Sequence, residues 1–346
     1  MPDRERTAFV TGGSGFVGGR LLRRLVADGW AVRALARSSG SARAVEERGA
    51  DAVPGDLDSI DSMRGGAEDC GVAFHAAALV TEWASDAAYE QANVIGTSNA
   101  LQACHRAGVS RFVNVSTVGV IQDGRQFSRA DESLPLALDS PWGYSTTKAR
   151  AEALVARWSK PGFETVSIRP EFVWGPADTT LVPAITEKVR AGQFVWISGG
   201  RHRVATSHVD NVVEALILAP ERGRGGAAYF ATDGEPPVFR DFLTRLMATQ
   251  GVELPDRSIP LPLARAFAAG CEWAWRTFRL PGVPPLTRPA LWIIGIENTV
   301  DDSRARRELG YAPVRTIDDG LAELEGAVAP AETVPPDGKP QVAASA

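Results

Sequence analysis

The chain has 346 residues, 44% of them hydrophobic and 23% charged, with 37 basic against 42 acidic side chains and a formal net charge of −5. That length supports a large core and two lobes, and the acidic balance with no long basic block excludes a nucleic-acid surface. Cys70, Cys104 and Cys271 are too few and too far apart for a disulfide framework or a zinc set, no metal ligands cluster in sequence, and no run reaches the roughly 18 apolar residues of a membrane span. Because MPDRER lacks the apolar core of a secretory signal, a cytoplasmic protein is expected.

The first element is an apolar run, Ala8 to Val10, entering a turn with glycines at 12, 13, 15 and 18, followed by a helical pattern through Leu21, Leu22, Leu25 and Val26. A strand, a glycine-rich turn and a helix read as a dinucleotide cradle. The missing Cβ atoms let backbone N–H groups and the positive end of the helix approach a pyrophosphate. Gly12, Ser14, Gly15, Phe16, Val17 and Gly18 are the candidates, in a G-x-x-G-x-x-G spacing. The second strand, Ala31 to Ala36, ends beside the ribose of such a ligand. A carboxylate there favours NAD, whereas this chain has Arg37 and Ser38, so NADP(H) is favoured, with NAD(H) as the alternative and a solvated loop as the bland reading of Arg37.

A helix over Ala42 to Arg48, a strand at Ala52-Val53 and the turn Gly55-Asp56-Leu57 follow, Asp56 and Leu57 lying at the adenine end. Cys70 to Ala78 is a strand whose small residues Ala76, Ala77 and Ala78 admit a cofactor ribose. His75 within it reads as a packed core histidine. A helix over Gln91 to Ala107, with Asn93 near its start, and a strand over Arg111 to Ser116 complete an alternation that calls for a parallel sheet covered on both faces.

Asp123 to Trp142 reads as a long polar loop. Beyond it, Tyr144 and Lys148 stand one turn apart on one helical face, where a lysine cation lowers a phenol's pKa and readies it for proton exchange. Glu164 to Arg169 is a strand, and Pro170 to Pro176 an apolar turn. Then come a helix over Leu181 to Ala191, a strand over Phe194 to Ile197, a helix over Asn211 to Ala219 capped by Asp210, a strand over Ala227 to Thr232, a helix over Phe239 to Gln250 and a proline-rich crossing over Pro255 to Pro262. Leu263, Phe267, Cys271 and Trp275 recur at spacings of four. Such a stripe reads as core; exposed, it is a lid over a greasy ligand or a peripheral membrane contact. The chain closes with Asp302 to Leu309, a helix near Asp318 to Leu324, and a proline-rich tail expected to be disordered.

TGGSGFVGG, the strand ending in Ser116-Thr117, Tyr144-x-x-x-Lys148, Arg169-Pro170 with Trp174-Gly175-Pro176, and DDSRARRELGYAP together resemble the extended short-chain dehydrogenase/reductase superfamily, and most closely its 3β-hydroxysteroid dehydrogenase-like branch. The resemblance implies an α/β fold: a Rossmann-type doubly wound parallel sheet in residues 1–171 with 207–233 returning to it, a smaller discontinuous substrate-binding lobe in 172–206 and 234–328, and a tail over 329–346. It implies an oxidoreductase in which Tyr144 exchanges a proton with a substrate oxygen. Lys148 lowers the Tyr144 pKa and holds the nicotinamide ribose, and Thr117, less so Ser116, orients the carbonyl. Pro170 and Val173 join the cofactor site.

Nucleotide-sugar epimerases and dehydratases of the superfamily, the competing reading, usually carry Asn where this chain has Phe172. The pocket candidates Leu79, Val80, Trp83, Val120, Phe172, Trp174, Leu181 and Phe267 suit a hydrophobic, steroid- or lipid-like small molecule. A non-catalytic NADP(H) sensor is the third reading, disfavoured by the Tyr/Lys pair. Glu171 either binds a polar group of the substrate or faces solvent. The resemblance also allows a homodimer.

Overall fold

The computed structural model describes residues 6–81 and 83–327; the expected disordered tail lies outside the described residues. In chain order the elements are β1 (Thr7–Thr11), α1 (Phe16–Ala27), β2 (Ala31–Ala36), α2 (Ser39–Glu46), β3 (Asp51–Pro54), α3 (Ile60–Ala67), β4 (Val72–His75), α4 (Asp86–Tyr89), α5 (Gly96–Arg106) and β5 (Arg111–Val115). There follow β6 (Phe127–Ala130), α6 (Gly143–Trp158), β7 (Glu164–Pro170), β8 (Val173–Trp174), α7 (Leu181–Arg190), β9 (Trp196–Ile197), β10 (Ser207–His208), α8 (Val209–Arg222) and β11 (Ala228–Ala231). The chain continues through α9 (Phe239–Ala248), β12 (Ser258–Ile259), α10 (Leu261–Phe278), α11 (Arg288–Gly295), β13 (Asn298–Val300), α12 (Ser303–Leu309) and α13 (Ile317–Ala327).

Seven parallel strands form the central sheet in the order β11-β7-β5-β4-β1-β2-β3. All five residues of β1 are buried, as the middle of a doubly covered parallel sheet requires. One face packs Leu21, Leu22 and Leu25 of α1 against Val212, Val213 and Leu216 of α8, with Ala305 and Leu309 of α12. The other packs Met63 of α3, Leu101 and Cys104 of α5 and Val155 of α6. Connections run one way from β1 to β2 and β3, and the other way through β4, so the strand order reverses at β1 and β4. That crevice, at the carboxyl ends of the strands, is where ligands of open α/β sheets bind.

Beyond the sheet, Phe172, Trp174, Trp196, Phe239 and Phe242 build an aromatic core under α7 and α9. Asp233 joins its parts, accepting from the Trp174 indole (2.7 Å), the Thr206 hydroxyl (2.8 Å), the His208 backbone (2.5 Å) and the Asn211 amide (2.7 Å). Four donors on one carboxylate tie the two segments into a single polar junction.

Several sequence expectations are corrected. The supposed loop 123–142 contains β6, which pairs with β13, and α11 was not foreseen. The strand expected over Cys70 to Ala78 is regular only over Val72–His75. His208, not Asp210, caps α8, its ring nitrogen accepting the Asp210 N–H at 3.2 Å. Asp210 instead pairs with Arg20 of α1 at 2.5 Å. The α10 stripe divides: Leu263 (63%) and Phe267 (54%) are exposed while Cys271 and Trp275 are partly buried, and the residues the helix fully buries are Ala264, Ala268 and Glu272. Periodicity cannot say which side of a helix meets the protein when both sides are apolar. No helix among the described residues is long and apolar enough to cross a membrane.

Candidate active site

The glycine-rich turn carries two kinds of glycine. A Cβ on Gly12, whose φ is +77°, would lie 2.6 Å from the backbone of Ala76 and Ala77, and one on Gly18 would lie 2.2 Å from the Gly12 carbonyl oxygen. Both glycines therefore make room for the protein's own backbone, which corrects the expectation that they spare space for a ligand. Gly15 is different: exposed, its Cβ meeting nothing nearer than the Gly12 oxygen at 3.3 Å, it caps α1 without a side-chain hydrogen bond. The first-turn N–H groups of α1 at Phe16, Val17 and Gly18 thus open toward the crevice beside exposed Ser14, a geometry that fits a pyrophosphate.

Arg37 is exposed at the carboxyl end of β2. Ser38 spends its hydroxyl on the N–H of Ser41 in a capping box for α2. Asp56 is exposed, and one of its oxygens accepts from the N–H groups of Asp58 and Ser59. Leu57, Ala76, Ala77, Ala78 and Val173 are partly exposed along the crevice, while Pro170 is buried at the end of β7. His75 is sealed between Thr11 (2.7 Å) and Thr97 (3.0 Å), and burial with the nearby Lys148 charge pushes its pKa down to about 3, so it is a neutral core histidine, as expected.

Tyr144 and Lys148 lie one turn apart in α6, with Thr117 at the carboxyl end of β5. Thr117 accepts the Gly119 N–H at 3.1 Å, and its hydroxyl lies close enough to the Tyr144 phenol to favour the phenolate. Burial and the charge of Glu171 outweigh it and raise the phenol well above its ordinary range. Lys148 does not offset this, contrary to expectation: its buried ammonium donates to the Val115 carbonyl at 2.8 Å, and desolvation lowers its pKa to about 8. Ser116 turns its hydroxyl the other way. It donates to Glu152 at 2.5 Å, and Glu152 is paired with buried Arg169.

Two contributors were missed. Asn93, buried in a π-helical turn over Glu90–Ile95, accepts the Leu79 N–H at 2.8 Å and donates to Thr147 at 3.2 Å, fastening the segment after β4 to the tyrosine helix. A widened turn is a common device for aiming a side chain inward. Glu152, one helical turn beyond Lys148, was legible as a same-face neighbour, but its partner Arg169 is distant in sequence.

The pocket candidates separate. Trp174 is fully buried in the aromatic core, and Val120 is sealed against Val118, Ala149 and Trp292. Phe172 packs edge-on to Phe239 and Phe242, with Leu181 beside them. Leu79 is partly buried, Trp83 lies under the Arg276 guanidinium of α10 at 5.4 Å, and Val80 and Phe267 are surface residues. Trp174 and Val120 are thus core residues rather than pocket walls, and Val80 and Phe267 face the surface. Two surface hollows, at the far end of α6 (Leu154, Trp158) and between α7 and the end of α9 (Val182, Gln250), lie away from the Tyr144 end of the crevice. His208, Asp210 and Glu323 also converge, but Arg20 and Arg315 already pair with both carboxylates.

Residues 9–263 match the 3-beta hydroxysteroid dehydrogenase/isomerase family. A ketoreductase of 4-hydroxy-2-methyl-3-oxo-4-farnesyl-3,4-dihydroquinoline-1-oxide from Stigmatella aurantiaca is 45% identical over 92% of this chain and 96% of its own. A 2-alkyl-3-oxoalkanoate reductase from Stenotrophomonas maltophilia is 35% identical over 93% and 99%. The crystal structure of gox2253 superposes with a TM-score of 0.75 at 27% identity, covering 94% of this chain and 99% of that one. With the crevice, the Tyr144/Lys148/Thr117 constellation and these matches together, the chain belongs to the 3-beta hydroxysteroid dehydrogenase/isomerase family of extended short-chain dehydrogenase/reductases and is an oxidoreductase acting on hydroxyl or keto groups.

Proposed function

We propose that the protein is an NADP(H)-dependent ketoreductase of a hydrophobic, lipid-like ketone. The observation that carries this reading is the grouping of Tyr144 and Lys148, one turn apart on α6, with Thr117 just beyond β5, the phenol kept protonated by burial. A protonated phenol is the proton donor that reduction needs. Both relatives described above are named as reductases of 3-oxo compounds, which supports the same direction.

In this reading the nicotinamide, when bound, supplies the hydride. The uncapped N–H groups of α1, with Ser14 and Gly15, hold the pyrophosphate, and Arg37 with Ser38 takes the 2′-phosphate. Asp56 and Leu57 border the adenine; Ala76, Ala77, Ala78, Lys148, Pro170 and Val173 border the nicotinamide half. Thr117 holds the substrate oxygen beside the phenol, and Tyr144 delivers a proton to that oxygen as negative charge grows on it. Phe172 and Leu181 supply apolar wall. Phe172 is locked between two phenylalanine rings, which leaves no amide to hold a nucleotide diphosphate and weakens the epimerase reading.

Tyr144→Phe tests it with benzoin as the ketone. Benzoin-dependent NADPH oxidation should fall by about 10²–10⁴-fold, with NADPH affinity within about threefold of wild type. Unchanged turnover removes Tyr144 from the chemistry, and interconversion of a nucleotide sugar without net cofactor change would favour an epimerase.

A further inference from the structure

Glu171 is a carboxylic acid held where a carboxylate is costly. It is 5% exposed at the end of β7, and among the described residues its carboxyl group has no hydrogen-bond or ion-pair partner. The buried cations of the flanking elements are engaged elsewhere, Arg169 with Glu152 and Lys148 with the Val115 carbonyl. Its backbone is fixed on both sides. The Ser207 hydroxyl accepts its N–H at 3.0 Å, Pro170 precedes it, and Phe172 follows at φ +38°, wedged between Phe239 and Phe242. The side chain therefore starts from a fixed point at the carboxyl end of β7. It lies near enough to Tyr144 that, once ionised, its charge raises the phenol.

Natural sequences rarely leave a buried carboxyl unpaired unless something else completes it. We propose that Glu171 is a specificity-determining residue of this site: its carboxyl group hydrogen-bonds a second oxygen of the substrate, close to the carbonyl that Tyr144 serves. The substrate class is then a hydrophobic ketone with a neighbouring hydroxyl or carbonyl oxygen, rather than a simple ketone. This rests on the ketoreductase reading. Burial, which raises the Glu171 pKa to about 8, keeps the proton on the acid at neutral pH, so the group offers one donor and one acceptor and does not repel an electron-rich oxygen.

Benzoin and deoxybenzoin differ by one hydroxyl beside the ketone and form the probe pair. Their affinities for the NADP(H)-saturated protein, read by quenching of intrinsic tryptophan fluorescence, and their kcat and KM values are compared in wild type, Glu171→Gln and Glu171→Leu. Wild type should favour benzoin by about tenfold, the scale of one buried hydrogen bond. Glu171→Leu should abolish that ratio, chiefly through Kd and KM, and Glu171→Gln, which retains a donor and an acceptor, should restore most of it. A ratio that survives in Glu171→Leu overturns the proposal, as does an equal loss for both ligands in Glu171→Gln and Glu171→Leu. Glu171-dependent discrimination in binding without reduction of either ketone would sustain the role of Glu171 and count against the ketoreductase reading.

Discussion

At the scale of the residue, burial does more than sequence neighbourhood to set the chemistry. Tyr144 and Lys148 are neighbours by spacing, yet the lysine turns to the Val115 carbonyl and the phenol answers to Glu171 and Thr117. Glu171 carries a stability consequence. The folded protein keeps its proton up to about pH 8, whereas the unfolded chain loses it near the ordinary 4.5, so between these values the folded state binds more protons and stability falls as pH rises. Glu171→Gln should flatten that fall and stabilise the protein at pH 8 by roughly 1–3 kcal/mol, read from urea unfolding at pH 5 and pH 8; a pH slope equal to wild type's would mean that Glu171 is ionised in the folded state. Arg37 stands exposed at the end of β2. Arg37→Ala should weaken NADPH more than NADH by about 1.5–3 kcal/mol, the worth of a hydrogen bond to a charged group. Equal losses for the two cofactors would sink the NADP(H) preference.

At the scale of the element, the β1 turn and α1 act together. Gly18 sits where a methyl group would collide with the Gly12 carbonyl oxygen, and no flexible side chain is there to yield. Gly18→Ala should therefore destabilise the fold by about 2–4 kcal/mol, whereas Gly15→Ala, with its nearest contact at 3.3 Å, should cost under about 1 kcal/mol and chiefly weaken dinucleotide binding. Thermal unfolding without and with NADPH separates the two effects, and similar stability losses in both variants would contradict the division. The glycine spacing was legible in sequence because each glycine answers a local steric demand. Which glycine faces a ligand was not, since it depends on Ala76 and Ala77, more than sixty residues away.

At the scale of the whole molecule, the unforeseen feature is α10. Its small buried residues Ala264 and Ala268 let it lie close to its neighbours, and Glu272 pairs with Arg288, while Leu263, Phe267, Trp273 and Phe278 are turned outward. Trp273→Ser should cost less than about 1 kcal/mol, while Trp174→Ala in the aromatic core should cost about 3–5 kcal/mol. Denaturant titration at low protein concentration reads both. A cost above about 2 kcal/mol for Trp273→Ser would mean that this face is covered in solution.

The sequence by itself determined the alternation of strands and helices, the crevice that follows from it, and the Tyr144/Lys148 spacing, because each depends on periodicity or sterics within a few residues. Only the tertiary structure decided the rest: that Ser116 belongs to Glu152 and Arg169, that Trp174 and Val120 are core, that α10 turns Phe267, Trp273 and Phe278 outward, and that Glu171 is buried beside Tyr144. Hydrogen-bond partners and burial are set by which distant segments pack together, and for a carboxyl group such as Glu171 that packing decides whether it is a solvated charge or a neutral acid.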